Sequence, residues 1–174
     1  MNRIADFSKV SSGIFSEDAK KCLGINETET LEAYADIKLP KRATSGSAGY
    51  DFYVPADISL APGETVKIPT GIRSRMDEGW VLMIFPRSGL GFKYRLTLDN
   101  TVGVIDSDYY YSDNEGHIII KLTNCSGIGK DEGKTVELKK GDGFAQGVFL
   151  PFGITTDDAA TGIRNGGLGS TSKK

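Results

Sequence analysis

Ala61-Pro-Gly-Glu-Thr-Val-Lys-Ile-Pro-Thr-Gly-Ile-Arg-Ser-Arg-Met-Asp-Glu-Gly-Trp-Val-Leu-Met-Ile-Phe-Pro86 is three short apolar runs cut by glycine-bearing turns. Thr65–Ile68, Gly71–Arg75 and Trp80–Phe85 are too short for stable helices and rich in Val, Ile and Phe, which suit a half-buried pleated surface. Ala61-Pro62-Gly63 and Asp77-Glu78-Gly79 are turn signals with a mechanism: proline presets φ, and glycine accepts the positive φ of a tight turn.

The same alternation continues outward. Asp51–Val54, Val102–Ile105, His117–Thr123, Thr135–Leu138 and Phe144–Leu150 read as further strands, with Val102–Ile105 expected to be buried. Asp131-Glu132-Gly133 and Lys140-Gly141-Asp142-Gly143 read as turns. Turn signals at ~8–12-residue spacing indicate an all-β sandwich, barrel or jelly roll. The 22 glycines in 174 residues fit that class.

The first 35 residues differ. Ser16 reads as the cap of a short helix that Gly24 stops, and Asn26 as the cap of a second helix over Glu27–Tyr34. The sequence therefore divides into an N-terminal extension of short helices (1–35), a β domain (36–160) and a flexible glycine-rich arm (161–174).

Composition narrows the function. The 21 Lys and Arg against 23 Asp and Glu give a net charge of −2, which argues against a broad basic face for nucleic acid and leaves any anion to a local site. No apolar run approaches the ~20 residues of a membrane span, and residues 1–24 lack the apolar segment of a signal peptide. Cys22 and Cys125 form no CxxC pair, and with no export signal the expectation is a reducing cytoplasm. The single histidine, His117, heads an apolar run and reads as a strand-end residue rather than a catalytic one.

Five segments carry chemistry. In Pro86-Arg-Ser-Gly-Leu90, Arg87 offers a planar fork for phosphate oxygens, Ser88 a hydroxyl, and Gly89 close backbone approach; taken alone, a β-turn with an exposed arginine is the favoured reading. In Asn100-Thr-Val-Gly-Val-Ile-Asp-Ser-Asp-Tyr109, Asp106 falls at a strand end, ionised at neutral pH and able to orient a water. Asn100 has the donor and acceptor to read a base edge, and Tyr109 a ring to stack on a sugar or base; a hairpin with a turn aspartate is the alternative. Gln146 sits in an otherwise apolar strand and needs a partner, either a ligand or a neighbouring strand. Arg164-Asn-Gly-Gly-Leu-Gly-Ser-Thr171 reads as an anion nest or as a loose tail. In Ser47-Ala-Gly-Tyr-Asp51, Asp51 serves to hold a metal through water or to cap a turn.

In this order and spacing, Ala48–Asp51, Pro86–Leu90, Asn100–Tyr109, Gly141–Gln146 and Arg164–Thr171 resemble the five motifs of the trimeric deoxyuridine triphosphate nucleotidohydrolases, the dUTPases. The resemblance implies a β jelly roll assembled as a homotrimer with shared active sites, the arm closing over a site built by other subunits. It implies cleavage of dUTP to dUMP and pyrophosphate with Mg²⁺ chelated mainly by the triphosphate, limiting uracil in DNA and supplying dUMP for thymidylate synthesis. It assigns Asp106 as the base that orients the water. Asn100 and the backbone of Gly103, Val104 and Ile105 read uracil in a hairpin too tight for a 5-methyl group, and Tyr109 stacks on the deoxyribose. Arg87, Ser88, Gly89, Gln146, Arg164, Gly169, Ser170 and Thr171 meet phosphates, Leu168 covers the base, and Asp51 reaches the metal through water. Neither nucleic acid nor membrane is an expected partner.

The chain departs from the family pattern at Leu168, where an aromatic residue is usual, and at Gly143, where an arginine is usual. Arg164 stands one residue closer to the paired glycines, and the turn after Tyr109 is expanded to residues 110–116. Two other readings follow: a catalytically weak regulatory or binding module of the same fold, and a dCTP deaminase relative, for which no catalytic glutamate is evident.

Overall fold

The computed structural model describes residues 2–129 and 132–167. In chain order the elements are β1 (Ala5–Lys9), α1 (Ser12–Leu23), α2 (Glu27–Asp36), β2 (Lys41–Arg42), β3 (Tyr50–Tyr53), β4 (Ile58–Leu60), β5 (Thr65–Pro69) and β6 (Ile72–Met76). Then come β7 (Trp80–Pro86), α3 (Ser88–Tyr94), β8 (Leu96–Leu98), β9 (Gly103–Ile105), a 3₁₀ turn (Ser107–Tyr111), β10 (Ile119–Asn124), β11 (Val136–Leu138) and β12 (Gly143–Pro151). The fold is all-β and jelly-roll-like, with a helical N-terminal segment. No helix among the described residues is long and apolar enough to cross a membrane.

The largest sheet runs β2-β3-β12-β7-β9 and a second runs β5-β10-β8, while β1-β6 and β11-β4 form two-stranded ribbons. Alternate side chains of each strand point inward, as a period of two requires. Leu82 and Ile84 of β7, Phe52 of β3 and Phe144 of β12 thus meet Ile68, Leu96, Leu98, Ile120 and Leu122 in one core. Each of the eight expected strands is present within a residue or two. Short β1, β2, β4 and β8 were not expected.

Three expectations are corrected. The first helix is capped by Ser11, whose Oγ accepts from Ile14 N–H at 3.4 Å, so it starts well before Ser16. Gly24 ends it in the left-handed region at φ +68°. Pro86–Leu90 is no β-turn: Arg87 leads into α3. Finally, Val102–Ile105 is not a buried strand. Among the described strands β9 is the sheet's edge, paired only with β7, and Val104 is 55% exposed.

The N-terminal segment is bound to the β domain at both ends. β1 pairs antiparallel with β6, and α1 and α2 enclose a second small core of Val10, Phe15, Ala19 and Ala33. Asn26 caps α2 in a full capping box with Glu29. The tie from α1 to the β domain is His117, which is wholly buried. Its Nε2 accepts from Gly71 N–H at 2.8 Å, so Nδ1 carries the proton and donates to Asp18 of α1 at 2.6 Å. The strand-end reading of His117 holds, and its neutral tautomer is fixed by these two partners.

Burial depresses the pKa of His117 below 6.5, with Asp18 and Glu115 pulling the other way. The unfolded chain therefore takes up a proton before the native one does. The contribution to stability is complete above the unfolded pKa and is lost as pH falls toward the folded one. Thermal melts should be flat above about pH 7 and fall between about pH 6.5 and 5. His117→Gln should melt lower throughout and lose that part of the slope. An equal slope in both proteins would remove His117 as the cause.

Candidate active site

A cavity of about 430 Å³ opens beside β9. It is lined by Asn100, the Gly103–Ile105 strand, Asp106, Tyr109 and Arg164, with Asn114 and Lys121 at its walls. Local sequence explains the shape. Residues 99–102 turn tightly, Thr101 N–H donating to Leu98 O and Val102 N–H to Asn100 O. Gly103 then packs against Ile84, where a Cβ would stand 3.0 Å from the Ile84 Cβ. Because β9 is an edge strand, its outward N–H and C=O groups face the cavity instead of another described strand.

Asp106 follows β9 in extended backbone and precedes the 3₁₀ turn. Its carboxylate meets the Arg164 guanidinium, whose Nε also donates to Asp108 at 2.7 Å. Tyr109 is buried. Its hydroxyl donates to His117 O at 2.7 Å and accepts from Asn114 Nδ2 at 2.8 Å, and burial holds the phenol above its ordinary pKa. Gly167 lies on the ring so closely that a Cβ would stand 2.7 Å from it. The arm through Gly167 therefore rests on this chain's own Asp106, Asp108 and Tyr109. The resemblance instead sends it to a site built by other subunits; in a lone chain only its own carboxylates are within reach.

A second cluster sits elsewhere. Asp51, Gln146 and Phe85 are level on neighbouring strands β3, β12 and β7. Arg87 Nη1 donates to Gly143 O at 3.1 Å, and its Nε lies 3.6 Å from Asp51. A side chain at 143 would crowd Arg87, since a Cβ there would be 2.6 Å from Nη1. The glycine at this departure from the family pattern leaves Arg87 its present position. Ser88 and Gly89 open α3 beside it. Among the described residues, no group of three or more His, Cys, Asp or Glu side chains could hold a metal ion.

The structure thus gathers Asn100, Gly103, Val104, Ile105, Asp106, Tyr109 and Arg164 in one place, and Asp51, Arg87, Ser88, Gly89 and Gln146 in another. Leu168, Gly169, Ser170 and Thr171 lie outside the described residues, as does Asp131 of an expected turn. Sequence reasoning missed Asp108 and Asn114. The Asp-x-Asp-Tyr spacing was the available signal for the first; nothing local marked the second.

If Asp108 and Gly167 hold the arm, Asp108→Ala and Gly167→Val should each speed tryptic cleavage after Arg164. The expected gain for Asp108→Ala is about two- to fivefold, the yield of a partly exposed ion pair of under ~1 kcal/mol. Unchanged cleavage in both variants would show that these contacts do not hold it.

The dUTPase family model matches residues 35–172. A deoxyuridine 5'-triphosphate nucleotidohydrolase of Lactococcus lactis is 43% identical over 148 residues, covering 83% of this chain and 95% of the relative. One from Actinobacillus pleuropneumoniae is 42% identical over 147 residues, covering 80% and 90%. The crystal structure of a Streptococcus mutans dUTPase superposes with a TM-score of 0.62 at 34% identity, over 86% of this chain and 97% of that one. A mutant dUTPase of phage phi11 of S. aureus, described with a structural Mg(II) ion, gives 0.62 at 20% identity over 91% and 97%, a likeness of fold alone. Edge strand, aspartate, tyrosine and arm arginine in one cavity, together with these likenesses, place the chain in the dUTPase family.

Proposed function

We propose that this protein hydrolyses dUTP to dUMP and pyrophosphate in the cytoplasm, limiting uracil in DNA and supplying dUMP for thymidylate synthesis. The observation that carries the reading is the cavity on the free edge of β9. Uracil presents an acceptor, a donor and an acceptor along one edge, and an edge strand offers the complementary alternation. Asn100 adds a side-chain amide. The Tyr109 ring forms the wall against the sugar, leaving no room for a ribose 2′-hydroxyl. The site hydrogen bonds left unpaired by a wrong base supply the discrimination.

Asp106 is the base. Its carboxylate orients a water whose oxygen attacks the α-phosphorus, the bond to the β-phosphate oxygen breaks, and pyrophosphate leaves. Arg87, Ser88, Gly89 and Gln146 hold phosphates, and Arg164 clamps them with Gly169, Ser170 and Thr171 while Leu168 covers the base. Mg²⁺ enters as part of the substrate, chelated by the triphosphate, where it neutralises charge. Among the described residues no cluster of ligands forms a cage there, so Asp51, with Arg87 beside it, would meet the ion through water.

The distance between the two clusters supports a site shared with a second copy. Ile105 is opposite Leu82, so Asp106 comes level with Val81, at the end of β7 remote from Arg87. Six residues of strand at ~3.3 Å each separate them by roughly 20 Å, too far for one triphosphate to meet both. We assign the complete site to the interfaces of a homotrimer, with neither nucleic acid nor membrane as partner. Exposed Leu150, Phe152 and Ile154 leave apolar surface for such contacts. Residues 1–35, 36–160 and 161–174 act as brace, catalytic domain and closing arm. The curated relatives carry the hydrolase's name, not a deaminase's.

Pyrophosphate release from dUTP with Mg²⁺, beside dTTP, dCTP and UTP, tests the activity. Turnover should be confined to dUTP, and Asp106→Asn and Arg87→Ala should each lose at least about a hundredfold. Co-refolded in equal amounts, these two inactive variants should regain up to about a quarter of the wild-type rate, because one site in four then draws Asp106 and Arg87 from intact copies. No recovery would mean that each chain builds its own site. No turnover from the wild-type trimer would overturn the function.

A further inference from the structure

We propose that Asp18 and Asn114 are positioning residues for the sugar pocket, and that the N-terminal segment and the expanded turn after Tyr109 together serve selection of deoxyribose over ribose. The inference rests on the reading of Tyr109 as the wall against the sugar. A ring can exclude a hydroxyl only if it cannot swing away, and the Tyr109 hydroxyl is held from two directions. It donates to the carbonyl of His117, which directly follows the expanded turn, and accepts from Asn114 within it.

That stretch would be a loose loop without outside anchors. Gly116 N–H donates to Asn114 Oδ1 at 3.2 Å, which orients the amide toward Tyr109. Arg73 of β6 lies over the Tyr110 ring at 3.6 Å and donates to Tyr110 O at 2.7 Å. Gly71 N–H holds His117 Nε2, and further anchors come from the N-terminal segment. Ser11 N–H donates to Glu115 Oε2 at 2.7 Å, and Asp18 accepts from His117 Nδ1. Asp18, together with Gly71, therefore fixes the histidine whose own carbonyl accepts the Tyr109 hydrogen bond. A ring held through its hydroxyl loses rotational freedom before substrate arrives, so binding need not supply that order.

The test measures kcat and KM for dUTP, UTP and dTTP in Asp18→Ala, Asp18→Asn, Asn114→Ala and Tyr109→Leu. Asp18→Ala and Asn114→Ala should raise KM for dUTP roughly two- to tenfold, the yield of one lost hydrogen bond, with kcat nearly constant. The preference for dUTP over UTP should fall by a similar factor, while that for dUTP over dTTP, read by β9 and Asn100, should hold. Asp18→Asn should recover most of the loss, since its amide oxygen still accepts from Nδ1–H. Asn114 is partly exposed and off the core, so its variant decides the matter if Asp18→Ala fails to fold.

Tyr109→Leu separates the two layers of the argument. If it leaves the dUTP-to-UTP preference untouched, the sugar-wall reading itself is wrong. If it lowers that preference while Asn114→Ala and Asp18→Ala do not, the positioning role is overturned. If both preferences fall together in Asp18→Ala and Asn114→Ala, the two residues merely support the fold, which also overturns it.

Discussion

The spacing imposed by one central strand governs the site. β7 is paired along its length with β12 on one side and with β9 on the other, and its inward Leu82 and Ile84 are locked in the core. A one-residue slip would turn those side chains out to solvent. Register therefore fixes Asp106 at one end of β7 and Arg87 at the other, at a separation that side-chain flexibility cannot close. On our reading, the same constraint that makes the chain a stable β domain prevents it from being a complete enzyme alone.

The sequence revealed strands wherever two signals coincided: an apolar run long enough to fill a sheet, and a glycine turn to bound it. It missed strands that met only one condition. Ala5–Lys9 is half polar or charged and is a strand because β6 offers it an edge. Lys41–Arg42 has no apolar residue at all, and Ile58–Leu60 and Leu96–Leu98 are three residues each. The edge position of β9 was hidden for a related reason. Val-Gly-Val-Ile reads as buried because composition reports which residues suit a sheet, not whether a neighbour lies on the far side. Ser11 and Ser16 are equally good caps by residue type. Burial of Phe15 and Ala19 in the small core shared with α2 favours the earlier start.

Site residues were legible when their chemistry was local and illegible when it depended on long-range contact. Asp106 and Tyr109 belong to one motif, whereas Asp18 and His117 are separated by 99 positions and meet only because α1 lies over β5. No property of Asp18 in its own helix distinguishes it from Glu17. Gly143 was legible only as a departure from the family pattern. Its sense appears in space, where its missing side chain is the room that Arg87 fills.

The arm shows how a near-neutral protein can serve a polyanion. Arg164 is held by two carboxylates in the chain described here, and one of them is the proposed base. A carboxylate engaged by a guanidinium has fewer oxygen lone pairs free for a water, and a guanidinium bound to carboxylates has fewer donors for phosphate. On the proposed function, the triphosphate offers Arg164 more oxygens and more charge than Asp106 and Asp108 do, and the guanidinium would exchange carboxylates for phosphates when substrate binds. On that reading the movement that brings Arg164 to the phosphates would also free the proposed base, so that seated substrate and free carboxylate would coincide and an activated water would spend little time beside an open site.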